Sequence, residues 1–281
     1  MFDFYFGTQE EVKQDEIKFL ISVKRMLPRW VNSIADSEFI ALARLLDERG
    51  ALLFEKQKFI LVETGVGAST LLFIFYAIKY NGHAFSWDMS GEKGSFIRSV
   101  CTETIGSYFK KRIDDHWSLI QYNSLSPYLG LPILKELVKQ VDFFFHDSDH
   151  TWKVVHEELE AICPLLCDGA IVALDDANQD YLHTNMAYVN TFRKKLGLCL
   201  LERSVENITE PFYIETEKFL KEYWINVEYL SDFYKKNYKT DPYFSYYNSE
   251  FDIKTNLGTE RLEKLEHRFD SWRVSGRRNQ S

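Results

Sequence analysis

The segment KFILVETGVGASTLLFIFYAIKY (58–80) decides the fold of this chain. It begins with a β-rich apolar run at 58–63, turns through Gly65 and Gly67, and continues into an apolar stretch long enough for a helix. Glycines at such a turn let the backbone approach a ligand closely, because no Cβ stands in the way. A strand, a glycine turn and a helix in this order are typical of an α/β fold with a parallel sheet.

Short β-rich runs alternate with longer helical patterns from residue 58 to residue 217, which predicts a parallel sheet with crossover helices. The predicted strands are 58–63, 83–88, 118–123, 141–147, 169–176, 197–204 and 210–217. Helices separate the first five, whereas only VENIT (205–209) separates the last two. We therefore predict a Rossmann-like, mostly parallel sheet of seven strands that ends in an antiparallel hairpin, with helices on both faces.

The segments on either side of this α/β region have helical patterns. Two amphipathic helices are predicted at about 9–27 and 37–49, the second starting at an Asp36 or Ser37 cap and stopping at Gly50. After residue 217 the pattern predicts a helix, an aromatic loop and a second helix. The predicted parts are a helical N-terminal cap (1–57), an α/β domain (58–217) and a helical, aromatic-rich C-terminal extension (218–281).

Composition excludes several classes of protein. The net charge of −8 argues against a nucleic-acid substrate, since phosphate backbones require a broad cationic surface. The longest apolar run, 71–78, is far shorter than the roughly 20 residues of a membrane helix, and the acidic first residues are unlike a secretory signal. The four cysteines form no metal-binding pattern. We expect a cytoplasmic protein that does not bind membranes.

The end of the first strand carries a cofactor motif. An acid, Glu63, precedes the turn, and a nicotinamide-type GxGxxG would need a third glycine where the chain has Thr70. The pattern resembles the ExGxG loop of class I S-adenosylmethionine-dependent methyltransferases, which implies that the methionine part of the cofactor packs on this loop. The alternative is a tight strand-to-helix turn without a ligand. The cofactor-binding residues implied here are Glu63, Thr64, Gly65, Gly67, Ser69 and Thr70.

Later strand ends extend the same resemblance. Asp88 closes the second strand, where an acid accepts hydrogen bonds from both ribose hydroxyls of the cofactor. The alternative is that Asp88 caps the next helix. Asn123 and Ser124 occupy the place where the family commonly contacts adenine, and Asp147 is expected to border the cofactor as well.

Acids follow the fourth and fifth strands. FFFHDSDHTW (143–152) brings Asp147 and His150 to the carboxyl edge of the sheet, and the next strand ends in Asp175 and Asp176. Because adjacent strands lie roughly 5 Å apart, these carboxylates can converge on one hard cation, and without a cation they would repel one another.

Taken singly, these residues have simpler interpretations. Asp149 and Thr151 suit the cap of a following helix, Asp175 and Asp176 suit a solvated loop, and His146 suits a packed position beside the site.

The block from Phe145 to Ala177 resembles metal-dependent O-methyltransferases of the macrocin and mycinamicin sugar type, with their DxxH and paired-acid pattern. That resemblance implies that Asp147, Asp175 and Asp176 hold Mg²⁺ and that His150 takes the proton of the substrate hydroxyl. The implied acceptor is a small sugar-containing or phenolic metabolite of natural-product or polysaccharide biosynthesis. The family is often oligomeric, so the aromatic C-terminal segment suits either a dimer interface or a lid over the substrate.

Three alternatives remain open from the sequence. Metal-independent methyltransferases share this scaffold, and in them the same acids would orient the substrate directly. An NAD-dependent oxidoreductase has the same type of sheet, but the third glycine is missing. A non-catalytic binding module would have no need to concentrate ionisable residues at one edge of the sheet.

Overall fold

The computed structural model of the chain describes residues 14–121, 135–137, 139–150, 152–175, 177, 194, 197–199, 212–230 and 270–278. The strands are β1 (Ile60–Thr64), β2 (His83–Asp88), β3 (Trp117–Gln121), β4 (Val141–His146), β5 (Leu166–Leu174), β6 (Trp224–Tyr229) and β7 (Asp270–Arg277). The main helices are α1 (Glu16–Met26), α2 (Asp36–Leu53), α3 (Ala68–Lys79), α4 (Gly91–Cys101), α5 (Trp152–Ile162) and α6 (Phe212–Tyr223). Short helical turns lie at Arg29–Val31, Thr102–Gly106, Ser107–Phe109, Ile113–Asp115 and Cys163–Leu165.

All seven strands form one sheet in the order β3-β2-β1-β4-β5-β7-β6. The pairs among β1 to β5 are parallel, whereas β7 runs antiparallel to both β5 and β6. This confirms the predicted Rossmann-like sheet with a terminal antiparallel hairpin. The chain builds outward from β1 to β3 and then returns to the other side of β1 with β4. The carboxyl ends of β1 and β4 therefore border the crevice in which open α/β sheets bind ligands.

The predicted positions of the last two strands are wrong. Residues 212–223, which include most of the strand predicted at 210–217, form α6. Thr216, Phe219 and Leu220 are buried on one face at helical spacing, and burial of this face favours a helix over the strand that the short β-rich run predicts. Gly197 to Cys199, the start of the strand predicted at 197–204, are not in a strand, and residues 200–211 lie outside the described part of the chain.

The sheet is instead completed by β6 and β7, both from residues after 217 that were predicted to be helical. In β7, Trp272 and Val274 are fully buried two residues apart, which is the period of a strand with one face on the core. The division of the chain into parts at residues 57 and 217 stays a prediction.

The N-terminal helices cover α3 on the side away from the sheet. All residues of α3 from Ala68 to Ile78 are buried, because this helix lies between the sheet and the α1 and α2 pair. The helix α2 begins at Asp36, with the backbone N–H of Ala35 donating to Glu38 Oε2 at 3.0 Å. It continues past Gly50 to Leu53, so the predicted stop at Gly50 is wrong. Position 50 instead packs on Tyr80, since a Cβ there would lie 2.2 Å from that ring.

A buried acid fastens the N-terminal region to the amino end of β4. Asp142 is fully buried and accepts hydrogen bonds from the backbone N–H of Ile60 at 3.0 Å and from Gln57 Nε2 at 2.9 Å. Arg49 of α2 lies 3.4 Å from the same carboxylate. This network stabilises the sheet at the edge opposite the crevice. Among the helices of the described residues, none is both long and apolar enough to cross a membrane.

Candidate functional site

A cavity of about 270 Å³ opens at the carboxyl ends of β1, β2 and β4. It lies at the crevice where the topology predicts ligand binding. The lining comes from four segments, namely Trp30, Val31 and Ser33 before α2, Gly65 to Gly67 after β1, Trp87 to Met89 with Lys93 near the end of β2, and Asp147, Ser148 and His150 after β4.

The glycine turn faces the cavity and also packs against the backbone of Asp147 and Val31. Gly65 has a φ of +94°, and a Cβ at this position would lie 1.9 Å from the carbonyl oxygen of Asp147. The backbone N–H of Asp147 in turn donates to the carbonyl of Thr64 at 2.8 Å. At Gly67 a Cβ would lie 3.2 Å from the carbonyl of Val31. Close backbone packing therefore requires glycine at position 65 and leaves little room for a side chain at position 67, in addition to the predicted approach to a ligand.

Glu63 lies beneath the cavity and does not line it. Its side chain is fully buried and accepts hydrogen bonds from Ser69 Oγ at 3.1 Å and Ser86 Oγ at 2.5 Å. Burial raises the pKa of Glu63 to about 7, against the opposing effect of its hydroxyl donors. Thr64, Ser69 and Thr70 are also buried below the turn, where Thr70 Oγ1 accepts from the backbone N–H of Gly67 at 3.1 Å. Of the residues predicted on this loop, the two glycines are those that border the cavity.

Asp88 connects the end of β2 to the glycine turn. Its Oδ2 accepts from the backbone N–H of Val66 and its Oδ1 from that of Ser90, both at 2.7 Å. The cap of α4 is Ser90, whose hydroxyl accepts from the backbone N–H of Lys93 at 3.2 Å. Asp88 is therefore not the N-cap of α4, and its side chain lines the cavity. The predicted adenine contacts, Asn123 and Ser124, lie outside the described residues.

The acids after β4 and β5 meet beside a histidine. One ligand atom from each of Asp147, His150 and Asp175 lies within 4.8 Å of the other two. The sequence therefore located these three correctly at one edge, whereas Asp176 lies outside the described residues. Asp175 is 8% exposed, and its Oδ1 accepts no hydrogen bond from any described residue. An orphaned buried carboxylate oxygen, a second carboxylate and an imidazole are donors that fit a divalent cation such as Mg²⁺ or Mn²⁺.

His150 is placed to exchange a proton or bind a cation. Burial lowers its pKa below the ordinary value of 6.5, although the charge of Asp175 acts in the opposite direction. A lowered pKa keeps the imidazole neutral near pH 7, the form that accepts a proton or a metal ion. The Nε2 atom lies 3.8 Å from Asp147 Oδ1.

Two parts of the site escaped the sequence analysis. The turn Arg29–Val31 places Trp30 on the cavity rim, 51% exposed and 5.3 Å from the ring of Phe96. Glu158 of α5 is fully buried directly below the loop after β4. The helical spacing of the sequence does indicate that Glu158 is buried, because Glu158 lies on the same helical face as the buried residues Val155 and Ile162.

Comparisons with known proteins agree with this geometry. Residues 62–177 match a family model described as a methyltransferase domain, from the middle of β1 to just after β5. Among curated proteins no sequence matches the chain.

Solved structures with a similar fold include an O-methyltransferase from Bacillus cereus in complex with SAH, with 15% identity, a TM-score of 0.46 and coverage of 82% of this chain and 91% of that one. The O-methyltransferase TomG from Streptomyces achromogenes, in complex with SAM, has 16% identity, a TM-score of 0.43 and coverage of 66% and 73%. The methyltransferase MycE of the mycinamycin biosynthetic pathway, in complex with Mg and SAH, has 11% identity, a TM-score of 0.36 and coverage of 66% and 46%.

The match spans the glycine turn, Asp88 and the acids after β4 and β5. Over residues 62–177, this chain is similar to a methyltransferase domain.

Proposed function

We propose that the chain transfers the methyl group of S-adenosylmethionine to a hydroxyl oxygen of a small molecule, with Mg²⁺ held by Asp147, Asp175 and Asp176 and with His150 as the general base. The observation that carries the proposal is the cluster of Asp147, His150 and Asp175 within 4.8 Å. Two of these residues line the same cavity as the glycine turn, so donor and acceptor sites would adjoin.

In the proposed donor site, the cofactor contacts the backbone of the glycine turn and the carboxylate of Asp88. Gly65 and Gly67 leave room for the cofactor at the cavity wall, and Asp88 presents a carboxylate for its ribose hydroxyls. Asp88 already accepts the N–H of Val66, which fixes its orientation toward the turn. Adenine contacts from Asn123 and Ser124 are part of the proposal.

At the acceptor end, His150 removes the hydroxyl proton as the oxygen attacks the methyl group, yielding a methyl ether and S-adenosylhomocysteine. The neutral imidazole is the form able to take that proton, and the nearby charge of Asp175 stabilises the imidazolium that results. A bound Mg²⁺ would acidify the hydroxyl as a Lewis acid. The remaining rate enhancement comes from holding both reactants in line.

The acceptor class follows from the cavity rim and the overall charge. The exposed indole of Trp30, supported by Phe96, offers an aromatic face that packs on sugar rings and on phenols. The net charge of −8 favours a small-molecule acceptor over a nucleic acid. The proposal also includes that the protein is a cytoplasmic homo-oligomer and that it acts in natural-product or polysaccharide biosynthesis.

A screen of sugar-containing and phenolic acceptors with methyl-labelled S-adenosylmethionine tests this function. Mass spectrometry should find the labelled methyl group in the product, in place of a hydroxyl hydrogen of the acceptor. We expect EDTA to abolish the activity and Mg²⁺ or Mn²⁺ to restore it. Methylation only of nitrogen or carbon atoms would contradict the proposal.

A metal-independent methyltransferase is the second candidate. In that reaction Asp147 and Asp175 would orient the substrate hydroxyl directly, beside His150, whose Nε2 atom lies 3.8 Å from Asp147 Oδ1. Full activity after rigorous metal removal would favour this alternative over the metal-assisted reaction.

A further inference from the structure

The carboxylate of Glu158 joins three segments at the base of the candidate site. Its Oε2 accepts from Thr64 Oγ1 at 2.6 Å and from His146 Nδ1 at 2.7 Å. Its Oε1 accepts from Ser148 Oγ at 2.8 Å. The donors come from the end of β1, the end of β4 and the loop after β4, and the acid itself is fully buried.

These hydrogen bonds fix the backbone on both sides of Asp147. His146 and Ser148 bond to the same carboxylate, and the N–H of Asp147 donates to the carbonyl of Thr64 at 2.8 Å. A segment tethered at three consecutive residues loses much of its freedom, so these contacts restrict the positions that the Asp147 side chain can take.

Glu158 also fixes the orientation of the His146 ring. When Glu158 Oε2 accepts the hydrogen bond from this ring, the hydrogen of that bond lies on Nδ1. His146 is 1% exposed, and its Nε2 has no hydrogen-bond partner among the described residues. Its ring stands perpendicular to that of His150, with 5.9 Å between centroids. The anchored ring therefore forms a fixed wall beside the proposed base.

We propose that Glu158 is a positioning residue of the methyl-transfer site, which acts through His146 and Ser148 to hold Asp147 and His150 in the arrangement that binds the cation and accepts the proton. This inference rests on the proposed function. A positioning role differs from a packing role in its consequences. Loss of the Glu158 carboxylate should lower metal affinity and turnover more than donor affinity. The donor contacts at Gly67 and Asp88 lie on other segments.

Glu158→Gln tests the inference, since Gln has the same size but only one acceptor oxygen for three donors. The matched control is Asp142→Asn at the other end of β4, which weakens an equally buried carboxylate network far from the crevice. For each variant, calorimetry measures S-adenosylmethionine affinity, Mn²⁺ titration followed by electron paramagnetic resonance measures metal affinity, and kcat is measured at saturating donor.

In Glu158→Gln we expect Mn²⁺ affinity and kcat each to fall by about tenfold or more, with donor affinity within about threefold of wild type. Asp142→Asn should lower the unfolding temperature and leave Mn²⁺ affinity and kcat within about twofold. Wild-type Mn²⁺ affinity and kcat in Glu158→Gln would overturn the inference. Equal losses in the two variants would also overturn it, because they would indicate general destabilisation.

Ser148→Ala provides a second variant if Glu158→Gln does not fold, because it removes a single donor to Oε1. A fall of at least about threefold in Mn²⁺ affinity at an unchanged unfolding temperature is expected, and no change would count against the inference. If the wild-type chain binds no Mn²⁺, the metal part of the proposed function fails. Glu158 is then judged by kcat at equal donor occupancy, where a turnover equal to wild type overturns its positioning role.

Discussion

The backbone of Gly65 lies directly against the carbonyl oxygen of Asp147, so closely that a Cβ at position 65 would be 1.9 Å from that oxygen. The glycine turn that borders the proposed donor site and the loop that carries the proposed metal ligand are therefore in direct contact. Any side chain at position 65 must displace one loop or the other.

Gly65→Ala should accordingly damage both halves of the site. The clash adds to the cost of a positive φ in a non-glycine residue, which alone is about 1–2 kcal/mol. We expect donor and Mn²⁺ affinities to fall together by about tenfold or more, measured by calorimetry. The control is Gly197→Ala, where φ is +66° but no atom of the described residues lies within 4 Å of the added Cβ. Equal effects of the two substitutions would show that backbone strain alone is responsible.

Asp88→Ala should weaken donor binding without unfolding the domain. The substitution removes the acceptor for the N–H of Val66 and the carboxylate proposed for the ribose hydroxyls. Because hydrogen bonds to a charged group contribute about 1.5–3 kcal/mol, we expect affinity for S-adenosylmethionine to fall at least about tenfold. Glu92→Ala, an exposed acid at the start of α4, is the control. Unchanged affinity by calorimetry would refute the placement of the donor at Asp88.

His150→Ala should retain donor binding and lose turnover. General-base catalysis contributes about 10²–10⁴-fold, so we expect kcat to fall by about 100-fold or more while the donor Kd stays within about threefold. His156→Ala is the control, since His156 contacts Phe219 of α6 and does not line the cavity. Turnover that survives the loss of His150 would remove the imidazole from the proton transfer.

Glu63 should make stability depend on pH. The ordinary pKa of a glutamate is 4.5 and that of Glu63 is about 7 in the folded protein, so between these pH values the folded state holds a proton that the unfolded chain has lost. The stabilisation is fully present below pH 4.5 and is lost as the pH rises to about 7. In Glu63→Gln, the free energy of unfolding should therefore fall by about 3 kcal/mol less than in wild type as the pH rises through this range.

Urea unfolding at pH 5 and pH 8 measures this difference, with the exposed Glu92→Gln as the control. If wild type and Glu63→Gln lose the same free energy of unfolding between these pH values, the folded pKa of Glu63 is not raised.

The agreement between sequence and structure is uneven for physical reasons. Strands β1, β4 and β5 are covered on both faces, so they are continuous apolar runs that are recognisable without knowledge of their partners. By contrast, β6 and β7 pair with each other although residues 230–269 separate them in sequence. A pairing between such distant segments produces no local sequence pattern. The β-rich run at 210–217 predicts a strand because eight residues are too few to reveal the helical period of α6.

The site shows the same division. Asp147, His150 and Asp175 were predicted to meet because parallel strands in one sheet bring their carboxyl ends to one edge. The burial of Glu63 below the turn, in contrast, depends on the hydroxyls of Ser69 and Ser86, which lie in different elements.

The sequence alone determined an α/β sheet with a glycine turn after the first strand and acids at neighbouring strand ends, because these features depend on local periodicity and on the geometry of parallel strands. Only the tertiary structure decided that Gly65 abuts Asp147, that Trp30 borders the cavity and that Glu158 anchors the loop after β4. These contacts join segments that are far apart in the chain or on different elements. Their distances are set by how helices pack on the sheet, which no local pattern specifies.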